Sequence, residues 1–75
     1  MGKIDLDRYL EIEEYVKDWI EIYSNANEIT LTDENIDKIA TDITDTFINM
    51  GYDRISEIDD DEVADSVANA VSYFI

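Results

Sequence analysis

Seventy-five residues carry twenty acidic and five basic side chains, a net charge of −15, with no Cys, no His and no Pro. That length predicts one domain near the small end of what folds alone, where only about 60% of the unfolded surface is buried. Disulfides, thiolate metal sites and the commonest general base are excluded, and the charge disfavours DNA, RNA and anionic membranes as direct ligands while favouring basic partners.

An apolar content of 45% is too high for a disordered acidic tail. No apolar run approaches the roughly 18 residues of a membrane span. No signal peptide is visible, and Leu6 stands where a myristoylation signal after Gly2 wants Ser or Thr. The expectation is a cytoplasmic protein.

The first predicted helix covers 6–24. Tyr9, Leu10, Ile12, Val16, Trp19, Ile20 and Tyr23 recur at spacings of three and four and define its core face. Asp5 or Asp7 supplies the N-cap. SNANE, 24–28, is a polar break, and the following ANEITLT has enough β-branched residues for a short extended segment.

LTDENI opens the second helix, 33–50. Thr32 is its cap, Asp33 and Glu34 sit in the first turn where the helix dipole favours anions, and Leu31 and Ile36 have hydrophobic-staple spacing. Ile36, Ile39, Ala40, Ile43, Phe47 and Met50 make the core stripe, and Gly51 is the stop. A connector follows, with a short helical turn within 52–57. The third helix, 60–75, begins with Asp59 as cap, Glu62 closing a capping box, and Ile58 stapled to Val63. Val63, Val67, Ala70, Val71 and Phe74 are its buried face. The predicted fold class is an all-α, small three-helix bundle.

On a wheel of about 100° per residue, Asp7, Glu11, Glu14, Asp18 and Glu21 fall in a narrow sector opposite the core, rising roughly 5 Å per charge. Glu34, Asp37, Asp42 and Asp45 make a broader stripe on the second helix, and Asp59, Asp60, Asp61 and Asp65 cluster at the start of the third. Four like-charge neighbours on the first helix cost about 1–2 kcal/mol in all. Lys17 is placed to relieve Glu13 or Glu14, and Arg8 to relieve Glu11, but five cations do not balance twenty anions. The bland reading is a solvated surface that confers solubility. Salt adaptation is a weaker explanation for a chain this rich in Ile and Tyr.

The sequence offers little to build a chemical site from. An EF-hand loop needs Gly at its sixth place and Glu at its twelfth. From Asp53 these are Ile58 and Ala64, and from Asp59 they are Ala64 and Ala70. Only weak, non-specific divalent binding at Asp59–Asp61 survives. Asp65-Ser66 is the one dipeptide resembling the phosphopantetheine site of acyl carrier proteins, whose serine opens a helix near mid-chain and precedes Leu. Here Val67 follows, inside the last helix. No nucleophile–base pair, phosphate loop or metal spacing appears, and exposed carboxylates keep ordinary acidity. The chain reads as no enzyme, with no cofactor.

In size, charge, absence of catalytic residues and the acidic patterns DLDRYLEIEEYVKDWIE and SEIDDDEVAD, the chain resembles small acidic phage-encoded DNA mimics that inhibit restriction enzymes or CRISPR–Cas effectors. The resemblance implies a basic nucleic-acid-binding protein as partner, a nuclease or CRISPR–Cas subunit. The acidic residues of the three helices just named would be its contacts. Tyr15 and Tyr52 serve either as aromatic anchors or as core. The alternative is an acidic adaptor that docks through an apolar groove. If Tyr73, Phe74 and Ile75 exceed what the core holds, they form an exposed patch or a homodimer contact.

Overall fold

A computed structural model describes residues 6–52 and 54–74, with the backbone alone for Phe74. The described residues form helices α1 (Leu6–Ala26), α2 (Asp33–Asn49) and α3 (Asp60–Phe74), with a 3-10 turn, Ile55–Glu57, before α3. The three-helix bundle is thus the fold, and ANEITLT forms no strand. Asp5 as a cap, Phe74 as a core side chain and Ile75 lie outside the described residues.

Each helix end has a local cause. Thr32 is extended and its Oγ1 accepts from the Asn35 amide at 3.1 Å, satisfying one orphan donor of α2. At the other end of α2, Gly51 adopts φ +104°. Its N–H donates to the Ile48 carbonyl at 3.0 Å, and Tyr52 N–H donates to Phe47 at 3.1 Å. This is the paired bonding of a Schellman motif. The accompanying apolar contact is aromatic, with Tyr52 and Phe47 packed edge to face at 5.8 Å between centroids.

α1 ends in the same way without a glycine. Ile29 N–H reaches the Ser24 carbonyl at 2.8 Å and Glu28 N–H reaches Asn25 at 3.3 Å, so the helix runs two residues past its expected end. The left-handed position falls on Glu28, at φ +54°, where a Cβ is strained. Glu28→Gly should therefore stabilise the protein by about 1 kcal/mol, raising Tm by roughly 4–8 °C. Glu28→Gln, which removes the charge and keeps the Cβ, should gain much less in the same thermal melts.

Ile12, Val16 and Ile20 of α1, Ile39, Ala40, Ile43 and Phe47 of α2, and Val63, Val67 and Val71 of α3 form the buried core, closed at one end by Ile58. Trp19, Tyr23, Leu31, Ile36 and Ala70 pack against it half-buried. Two expected core residues are outside. Leu10 is 46% exposed and Met50 is 55% exposed. On the wheel Leu10 lies about 120° from Val16 at the centre of the buried stripe. Met50 continues its stripe by count but is the cap residue, where the chain turns away through Gly51.

Candidate interaction surface

A polar ladder joins α1 to α2. Tyr9 donates to Asp45 at 3.0 Å, Thr41 donates to Glu13 at 3.0 Å, and Lys17 pairs with Asp37 at 2.8 Å. Positions 9, 13 and 17 descend α1 by fours as 45, 41 and 37 ascend α2. The helices are therefore antiparallel, with their flanks in register. Lys17 is bonded across the seam to Asp37, not to Glu13 or Glu14 on its own helix, although both of these acids act on it through space.

Two further tyrosines tie α3 in place. Tyr15, on the other flank of α1, donates to Asp60 at 3.0 Å, and Tyr52 donates to Glu62 at 2.7 Å. Tyr52 thus links the C-terminal cap of α2 to the first turn of α3. Glu62, expected to close a capping box, has its side chain bonded to Tyr52. Tyr15 and Tyr52 both pack against the core. Their hydroxyls hold the bundle together, and the surface proposed below does not use them.

The ties shift acidities. Burial, then the bond to Asp45, pushes the Tyr9 phenol from 10.0 up to about 12. Tyr15 is raised chiefly by burial, and Tyr52 chiefly by its bond to Glu62. Lys17 is held protonated above its usual range by the Asp37 bond. In each case the folded state holds the proton more tightly than the unfolded chain does. The Tyr9 contribution is complete below pH 10 and is lost as pH rises towards about 12. Alkaline denaturation followed by circular dichroism should show stability falling across that window, and the fall should be shallower in Tyr9→Phe, which has no phenolic proton to lose.

All thirteen acids singled out in the sequence are exposed, but they do not form one sheet of charge. Asp37 and Asp45 stand on the α1–α2 seam. Glu14 and Glu21 lie about 40–60° of wheel beyond Lys17, and Glu34 about 60° beyond Asp37. These five form one two-column face, with Asp18 at its edge. Asp7 and Glu11 instead line an open groove of about 460 Å³ together with Arg8, Arg54, Ile55 and Ser56. Two of the five cations thus interrupt the acidic stripe at its N-terminal end. Asp42 faces the α2–α3 side, beside Ile43 and Thr46. Asp59, Asp60, Asp61 and Asp65 belong to α3 and its entry, with Asp60 drawn to Tyr15.

Tyr9, Glu13 and Thr41 were not anticipated as structural ties. Their signal was present: two polar columns at spacing four, 9/13/17 and 37/41/45, each flanking a core stripe. Among the described residues no group of three or more Asp or Glu is placed to hold a metal ion, and no helix is long and apolar enough to cross a membrane. The fold and surface define a small acidic three-helix bundle. Compared with known families, curated proteins and solved structures, the chain matches none.

Proposed function

We propose that the protein is a DNA-mimic inhibitor that occupies the basic nucleic-acid-binding groove of a host protein, a defence nuclease of the CRISPR–Cas or restriction type. The observation that carries this reading is the two-column acidic face of α1 and α2, where Glu14, Glu21, Glu34, Asp37 and Asp45 are fixed in register by the Tyr9, Thr41 and Lys17 ladder. Glu14 and Glu21 lie roughly 10 Å apart along α1, too sparse to copy a nucleic-acid strand. With Asp18 and the α2 acids interleaved across the seam, the spacing along the axis falls to roughly 4 Å, near the roughly 3.4 Å spacing of phosphates along one strand. A folded carrier presents the charges without the ordering cost of a flexible tail, and its field speeds encounter with a cationic groove. The protein is no enzyme in this reading. The thirteen acids singled out in the sequence are exposed, and every groove described above is open to solvent.

The test is capture of a partner from host lysate, followed by the partner's binding of DNA with and without saturating protein. Mutual exclusion, relieved by added salt, is the expected result. A partner that binds DNA undisturbed at saturation sinks the proposal. A second reading, an adaptor docking through apolar contact, is favoured by Tyr73, which is 88% exposed on α3. It predicts a complex that tolerates salt and leaves the partner's DNA in place.

A further inference from the structure

The α2–α3 side is the open side of the bundle, because these helices touch less extensively than either touches α1. Short side chains at Ser66, Asn69 and Ala70 leave a groove of about 380 Å³, floored by Ile43 and flanked by Asp42 and Tyr73. From Ser66 to Tyr73 it spans about two helical turns, or roughly 10 Å. That length suits one long side chain and is too short for a docked helix.

We infer that this groove is a socket for an arginine side chain of the partner. The aliphatic stem would lie on Ile43 and Ala70, with the guanidinium between the Asp42 carboxylate and the Tyr73 ring. The chemistry of the walls selects the guest. Asp42 and a net charge of −15 reject anions. The Thr46 hydroxyl already donates to the Asp42 carbonyl at 2.9 Å, so its oxygen is left to accept. Ser66 and Asn69 can both accept as well. Guanidinium is planar, carries five donors and no acceptor, and stacks on aromatic faces; the compact ammonium of lysine is more strongly hydrated and lacks the planar fork. The identity of the arginine's owner rests on the decoy proposal, whereas the preference for arginine rests on the groove alone.

The probe is therefore N-acetyl-arginine amide, added to the isotope-labelled free protein and followed by amide chemical shifts. Saturable shifts confined to residues 42–46 and 66–73 are expected, with the lysine counterpart about two- to fivefold weaker. Tyr73→Ala and Asp42→Asn should each abolish the arginine preference. Far-UV circular dichroism of both variants checks that the fold is retained. Glu21→Gln, on the α1–α2 face, should change nothing. Equal response to lysine, shifts spread over α1, or no shift at all would overturn the socket. So would shifts at these residues that depend on protein concentration alone, which would place a second copy of the chain in the groove. No partner enters this experiment, so the socket and the decoy proposal fail independently.

Discussion

Phe47→Ala should unfold a large fraction of the protein, costing about 3–5 kcal/mol. A domain of 75 residues has only about 4–11 kcal/mol to lose, at roughly 0.05–0.15 kcal/mol per residue. Among the described residues Phe47 is the largest fully buried side chain, and it is 1% exposed. It also carries the Tyr52 ring edge to face, a contact worth about 0.5–1.5 kcal/mol beyond its area. Its carbonyl receives the Tyr52 N–H that completes the turn after α2. Truncation therefore opens a cavity and loosens the cap from which Tyr52 reaches Glu62 on α3. Phe47→Leu, which keeps most of the volume but also loses the ring contact, should cost less than the alanine variant, about 1–2 kcal/mol. Thermal melts of the two variants give the comparison. Similar small losses for both would show that the aromatic contact does not hold α3 to the end of α2.

The same corner of the molecule shows what a sequence can and cannot reveal. Thr32 and Gly51 were legible because caps are local: a side chain or backbone within three residues of the helix end decides them. The left-handed residue after α1 was hidden. Three turn formers in SNANE, Ser24, Asn25 and Asn27, can end a helix, and the choice of Glu28 follows from Ile29 and Leu31 being drawn onto the core. The ties Tyr9–Asp45 and Tyr15–Asp60 join residues 36 and 45 positions apart, a pairing that only the register of the bundle determines. Leu10 and Met50 mark the opposite limit. Spacing identified the stripes, but the width and length over which a stripe is covered depend on the neighbouring helices. For the acidic surface, the wheel gave the α1 column correctly as exposed. It could not show that Asp37 and Asp45 turn toward α1, that Asp42 turns toward α3, or that Arg54 comes to lie beside Asp7 and Glu11.

Neutralising the two-column face should separate stability from function. In a variant carrying Glu14→Gln, Asp18→Asn, Glu21→Gln and Glu34→Gln, three of the four like-charge contacts along the α1 stripe disappear. The free protein should gain about 1 kcal/mol, at roughly 0.2–0.5 kcal/mol per contact. The lysine–aspartate rung of the ladder is left untouched, so the helices keep their register. Against the basic partner the same variant should lose on the order of 100-fold in affinity, about 2.7 kcal/mol, with most of its encounter-rate advantage gone. Salt should reproduce the split in the unmodified protein: screening raises its Tm by damping self-repulsion, while it weakens the complex. A surface kept only for solubility predicts the first effect without the second. Binding that survives neutralisation and 0.5 M salt (a Debye length of roughly 4 Å) would move the contact to the apolar side of the molecule. The acids would then be a cost to folding with no return at the interface, and Tyr73 rather than the α1–α2 face would be the place to seek the partner.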